Sequence, residues 1–266
     1  MVDDLDQSTP RRIKSIQNAN QLLKIVQSHS DPTLDDICEE VSLSKGSVCT
    51  YLKTLEEEGL ISCTDGTYQL GLDFLIRGES VRNHIDLYRG GMEVADDLAE
   101  RTGEWVHLTI EHRGQELTIY ETGGDKAIAT DYHIQMREVL QYLHSTAAGK
   151  SMLAHFDRDY VEKIIDQHGL VKETEHTITD RDTLFEELEQ VRELGYAVNA
   201  EEVIRGLRAV GAPIHGENNE LCGAISLTAP TSRLSGENFE DRIPELVMET
   251  SNIIEVNLET ASMQTH

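Results

Sequence analysis

Apolar residues recur at helical spacing through roughly the first sixty positions of the chain. Ile16, Ala19, Leu22, Leu23 and Val26 share one face, Leu34, Ile37, Cys38 and Val41 a second, and Val48, Leu52 and Leu55 a third. Asp31-Pro32-Thr33 and Glu58-Gly59-Leu60 punctuate these stripes, so the pattern predicts three short helices. Segments 60–63 and 67–70 then flank Thr64-Asp65-Gly66, and Asp-Gly between strand-like runs is a strong hairpin signal. Three helices followed by a small hairpin make a winged helix, here ending near Gly71.

A longer helical stretch over 72–89 runs to Gly90-Gly91 and reads as a linker. From Met92 the pattern becomes mixed: a helix to Arg101, a hairpin of 105–111 and 116–121 around Arg113-Gly114, and helices near 146–155 and 180–194. Three strands follow at 196–203, 207–215 and 221–228, then a helical segment carrying Phe239, Leu246, Ile253 and Val256. Strands with helices packed on their sheet predict an α+β sandwich. The expected organisation is 1–71, a winged helix-turn-helix; 72–91, a linker helix; and 92–266, a second domain.

Composition adds an environment. The chain has 49 Asp and Glu against 23 Lys and Arg, a formal net charge of -26, and only 8 of those 23 are Lys. So much like charge repels itself in dilute buffer, whereas salt at about 1 M screens it within about 3 Å. A halophile's cytoplasm is the expected setting, with an ordinary acidic protein as the alternative. No apolar run approaches the roughly 18 to 20 residues of a membrane helix, and MVDDLDQSTP lacks the apolar centre of a secretory signal. Cys38, Cys49, Cys63 and Cys222 lie far apart with no CxxC, which argues against a zinc ribbon or a disulfide framework. His107 and His112, an odd number of residues apart in one strand, face opposite sides. Neither a metal nor a cofactor is expected.

A helix-turn-helix plants the first half of its second helix in the major groove. Thr33 can cap the first helix of the pair, 41–43 makes the turn, and Ser44 caps the second. At 100° per residue, Val48, Tyr51, Leu52 and Leu55 fall on one side, and Lys45, Gly46, Cys49, Thr50 and Lys53 on the other. That outer arc is small, polar and basic. With the basic tail, the candidate DNA contacts are Arg11, Arg12, Thr33, Ser44, Lys45, Gly46, Ser47, Thr50, Tyr51 and Lys53. Charge opposes the motif: residues 1–75 hold 6 basic and 13 acidic residues, a net of -7. Cation uptake at high salt can offset that deficit, and a winged helix that docks a protein partner instead of DNA is the alternative.

In the second domain, His144-Ser145-Thr146-Ala147-Ala148-Gly149-Lys150-Ser151 ends like a phosphate loop but lacks its first Gly, which argues against ATP. A helix N-terminus capped by Thr146 remains, favourable to a small anion, or else a run of small residues that lets a helix approach a sheet. Strand alternation puts Leu207, Ala209 and Gly211 on one face, and Cys222, Ala224, Ser226 and Thr228 on another. Small side chains on neighbouring strands leave a hollow, suited to a small carboxylate. No nucleophile stands in a recognised context, so no enzymatic activity is expected.

TLDDICEEVSLSKGSVCTYLKTLEEEGLI, DGTYQLG, LHSTAAGKSMLA at 143–154, LGYAVNAEEVIRGLRAVGAPI at 194–214 and GAISLTAP at 223–230 occur in order. With these motifs the chain resembles the IclR family of transcriptional regulators over nearly its whole length. The resemblance implies an N-terminal winged helix-turn-helix, a linker helix and a C-terminal GAF-like α/β effector-binding domain. It implies self-association as a dimer or tetramer on a palindromic operator in double-stranded DNA, and control of a catabolic pathway by a small-molecule effector, an organic acid or sugar derivative. Carried over by motif, the effector-binding positions are Ala147, Ala148, Asn199, Leu207, Ala209, Ser226 and Thr228. The chain departs from the family at Cys38, Ser42, Gly46-Ser47 and Thr50, and at Asn199 where some relatives carry an acid.

Overall fold

A computed structural model describes residues 12–128, 133 and 139–263 of the protein. The chain divides into two units, Met1–Val81 and Arg82–His266, so the division falls beyond the Gly71 read from the hairpin's end.

In the first unit, α1 (Lys14–Ser28) buries Asn18, Leu22, Ile25 and Val26. The spacing of four, three and one keeps them on one stripe. Ile16, assigned to that stripe from the pattern, is 63% exposed, because it lies in the first turn where nothing described in this unit covers it. α2 (Leu34–Glu39) opens with a reciprocal cap: Thr33 accepts from the Asp36 N–H, and Asp36 accepts from the Thr33 N–H. α3 (Lys45–Glu57) is capped by Ser44, whose hydroxyl accepts from the Ser47 N–H at 3.2 Å. β1 (Ile61–Thr64) and β2 (Thr67–Leu70) pair antiparallel, with Ile61 opposite Leu70. Asp65 and Gly66, at φ 53° and 86°, make the tight turn that the Asp-Gly signal predicts. Leu22, Ile37, Val48, Leu52, Leu55 and Ile61 close one small core.

α4 (Asp73–Arg82) buries none of its residues and ends before Asn83. α5 (Asp86–Thr102) then runs straight through Gly90-Gly91, which the sequence pattern takes as a stop. The glycines serve packing there: a Cβ on Gly90 would meet Leu258 at 3.1 Å, and one on Gly91 would meet Leu108 at 2.8 Å.

The second unit is built on five antiparallel strands: β3 (Trp105–His112), β4 (Gln115–Gly123), β5 (Ala197–Ala200), β6 (Leu207–His215) and β7 (Leu221–Pro230). Their spatial order is β4-β3-β7-β6-β5. One face carries Val106, Leu108, Val210, Ile214, Ile225 and Leu227 against α5 and α9 (Ile243–Met263). The C-terminal helical segment forms as α9, which buries Val247, Thr250, Ser251, Ile254 and Leu258 and leaves Ile253 and Val256 exposed. The other face is covered by α6 (Ala147–Leu153), α7 (Arg158–His168) and α8 (Arg181–Leu194). α7 is absent from the sequence reading, although Val161, Ile164 and Ile165 have helical spacing. No helix among the described residues is long and apolar enough to cross a membrane.

Every residue of α6 is buried, Lys150 included. Its ammonium donates to Glu202 at 2.7 Å and to Glu187 at 2.9 Å. The lysine that gives 144–151 its phosphate-loop appearance therefore ties α6 to α8 and to the turn after β5. Removing one partner of a buried pair strands the other charge, at a cost of about 3 to 5 kcal/mol. Lys150→Ala should lose about that much stability in urea unfolding at neutral pH, whereas a loss below about 1 kcal/mol would mean that water reaches Glu202.

Candidate nucleic-acid interface and ligand cavity

The outer arc of α3 forms as the angles predict. Lys45, Gly46, Cys49, Thr50 and Lys53 are exposed, opposite buried Val48, Leu52 and Leu55. Arg12 is exposed as well, while Arg11 lies outside the described residues. Several members of the predicted contact set are engaged within the unit. The Thr33 hydroxyl donates to Asp36 at 2.7 Å within the cap of α2. Ser44 caps α3 and shares a hydrogen bond of 2.9 Å with the Ser47 hydroxyl. Tyr51 turns inward against the core, its hydroxyl accepting from Asn18 on α1 at 3.2 Å.

Both lysines of the arc already have acidic partners. Lys45 pairs with Asp35 at 2.5 Å, its side chain 61% exposed, and Lys53 lies 3.5 Å from Glu56 and 3.8 Å from Glu57. Asp35 raises the pKa of Lys45 through that hydrogen bond. Exposed pairs of this kind are worth roughly 0 to 1 kcal/mol, so a phosphate placed beside either lysine can displace the carboxylate.

In the second unit all seven positions singled out for a small ligand face one cavity. Ala147 and Ala148 come from α6, Asn199 from β5, Leu207 and Ala209 from β6, and Ser226 and Thr228 from β7. The register explains the convergence, because Ala209 lies opposite Thr228 and Asn199 opposite Ala209. Gly211, also on that face, is covered instead: a Cβ there would stand 2.7 Å from the Ala147 carbonyl carbon, so α6 rests directly on it. Small residues thus allow close approach of the helix at Gly211 and leave open space at Ala209. The cavity volume is about 80 Å³. One water needs roughly 10 to 15 Å³, so a molecule of several heavy atoms fits.

Sequence reasoning missed part of the lining: His107 from β3, Glu116 and Thr118 from β4, His133, Gln141, Val203 and Ile204. Alternation along β3 would have put His107 opposite Ser226, but only with the strand order in hand. Asn199 accepts from the Glu202 N–H at 2.7 Å, which orients its amide. Glu116 is fully buried at the start of α6, where the Thr146 hydroxyl donates to it. Thr146 also caps the helix, accepting from the Gly149 N–H at 2.9 Å. The position anticipated for an exogenous anion is thus beside the protein's own carboxyl. Burial raises its pKa to about 7, against the lowering effect of Thr146 and Gly149. Ser145 and Ser151 give their hydroxyls to the Tyr142 and Ala148 carbonyls, and His144 bonds the Val171 carbonyl. These groups form no relay.

Comparison with known proteins places both halves. Residues 80–256 match the family described as bacterial transcriptional regulator IclR C-terminal, and residues 18–62 match a winged helix-turn-helix DNA-binding family. The chain is 42% identical over 253 residues to a probable HTH-type transcriptional regulator ArcR of Halobacterium salinarum, covering 95% of this chain and 96% of that one. It is 31% identical over 243 residues to a glycerol operon regulatory protein of Streptomyces coelicolor, covering 89% and 92%. Among solved structures, an IclR transcriptional regulator from Alicyclobacillus acidocaldarius superposes with a TM-score of 0.78 at 26% identity, covering 93% of this chain and 99% of that one.

Glu116 gives the second unit a pH dependence of definite sign. Its carboxyl holds its proton more tightly folded than unfolded, so this group's contribution to stability falls as pH rises from about 4.5 to about 7 and is constant above. Glu116→Gln keeps the shape without the charge. Relative to the native chain, the variant should gain up to about 3 kcal/mol in unfolding free energy between acidic and mildly alkaline pH at matched salt. A difference that does not change with pH would place the carboxyl in contact with water.

Proposed function

We propose, from the premise that this chain belongs to the IclR family of DNA-binding, effector-responsive transcriptional regulators, that it controls a catabolic operon from a palindromic operator. The single observation that carries the effector half of this reading is the convergence on one cavity of the seven positions that the family motifs imply. The members of this family are regulators, not enzymes, and nothing in the comparisons favours the protein-docking alternative.

In this reading 1–71 reads DNA, 72–91 connects, and 92–266 holds the effector, an organic acid or a sugar derivative. The amino-terminal part of α3 enters the major groove with Lys45, Gly46, Ser47, Thr50 and Lys53, and Arg12 adds a phosphate contact. The effector acts by binding one geometry of the assembled protein better than another, since a ligand shifts an equilibrium only by its differential affinity. Self-association as a dimer or tetramer is supported by exposed Leu75, Ile76 and Val81 on α4, a helix with nothing buried within its own unit. The acidic composition and the relative from Halobacterium salinarum support a halophile's cytoplasm as the place of action.

Cross-linking in the native salt followed by genome-wide recovery of bound DNA tests the whole reading. Discrete palindromic sites beside a catabolic operon are expected. Lys45→Ala should weaken occupancy roughly tenfold (about 1.4 kcal/mol), while Ser226→Leu, which fills the cavity, should keep the sites and lose the effector response. Absence of discrete sites would overturn the proposal. On an operator fragment, Asp35→Asn releases Lys45 and removes one repelling charge, so binding should tighten several-fold; unchanged affinity would take Lys45 out of the interface.

A further inference from the structure

The cavity wall holds a group of side chains that neither the motif reading nor the comparisons account for. His107 on β3 and Glu121 on β4 are register partners, and His133 lies over them. His107 Nε2 stands 3.2 Å from His133 Nδ1 and 3.6 Å from Glu121 Oε2. One ligand atom from each of the three lies within 4.8 Å of the others.

We propose that His107, His133 and Glu121 bind a divalent transition-metal ion of the zinc class at the wall of the cavity, with one coordination position left open to an oxygen of the ligand. The geometry argues for it. Bonds of about 2.0 to 2.1 Å to a tetrahedral ion put neighbouring donor atoms about 3.3 Å apart, and the two separations given above bracket that value. The donor set argues for it too: two imidazoles and a carboxylate suit zinc, cobalt or iron, whereas magnesium and calcium take oxygen ligands. The site is built from buried side chains. The Glu121 side chain is 4% exposed and that of His107 12%. Trp105 stacks on the His133 ring at 4.4 Å, and its indole N–H donates to the Ile128 carbonyl at 2.7 Å.

Position decides what the metal would take. His107 and His133 line the cavity, whereas Glu121 does not, so the open side of the triad looks toward Ser226 and Thr228. A divalent ion held by two neutral imidazoles and one carboxylate carries a net positive charge. Among the described residues no Lys or Arg lines this cavity, and the metal would supply a cationic centre there. The ligand class is therefore a small carboxylate, and a 2-hydroxy acid in particular, which offers two oxygens to one ion. This ligand assignment rests on the effector reading above, whereas the metal site does not.

The test uses the full chain without a histidine tag, stripped with chelator and titrated with Co²⁺ in the native salt. One equivalent per chain should bind with the visible bands of low-coordinate cobalt, and Zn²⁺ should abolish them. His107→Ala should lose the bands while far-ultraviolet circular dichroism stays unchanged, and Glu121→Gln should weaken uptake at least tenfold, roughly the scale of a lost supporting contact or more. No bands, or identical bands in both variants, would overturn the metal site. Adding glycolate to the cobalt form should shift the bands. If an effector released the operator but neither it nor glycolate moved the bands, the open position would be overturned while the effector reading stood.

Discussion

Helix α6 is laid directly on a glycine of β6, and its placement decides where the second unit is solid and where it is hollow. At Gly211 the backbone of the helix touches the sheet, because a side chain there would collide with Ala147. Two strand positions away, at Ala209, the same face opens into the cavity, since Ala147 and Ala148 reach over it without filling it. The helix is held from both ends. Thr146 caps it and donates to Glu116 on β4, and Lys150 reaches Glu187 on α8 and Glu202 after β5. A short helix of seven residues would be marginal alone, so its stability comes from these tertiary anchors. Moving it would disturb the cap, the buried ion pair and the cavity wall together.

Charge follows a different logic in the first unit. The reading helix carries only two lysines, and each stands beside a carboxylate of its own unit. Such pairs hold little free energy at the surface and less at high salt, where screening is complete within a few ångströms. The arc is thus neither strongly attractive to any polyanion nor closed to a well-placed phosphate. Long-range attraction from this net-acidic unit is small in concentrated salt.

What was legible in the sequence was whatever local chemistry determines. Asp65-Gly66 and Arg113-Gly114 read as turns because both residues of each pair must take positive φ, and they do. Ser44 read as a cap because a hydroxyl before a helix satisfies an otherwise unpaired N–H. Period-two alternation put Ala209, Ser226 and Thr228 on one face, and that face became the cavity. Local rules failed where packing from elsewhere decided the outcome. Gly90-Gly91 looked like a helix stop, but α9 and β3 need the missing side chains for close approach. Ile253 and Val256 mark the helix by their spacing but stand exposed, while the buried stripe of α9 includes Thr250 and Ser251, whose hydroxyls bond the Leu246 and Pro213 carbonyls. His107 and His133, 26 residues apart, meet only through tertiary structure.

The chain contains one tryptophan, and the fold sets it against the cavity. Trp105 stacks on His133, whose ring lines that space. An indole's emission responds to the charge and position of a ring in face-to-face contact, so the protein carries a native fluorescence probe with no competing signal from any other indole. Occupation of the cavity, or any displacement of His133, can be followed in the unlabelled chain in real time and in whatever salt the protein requires.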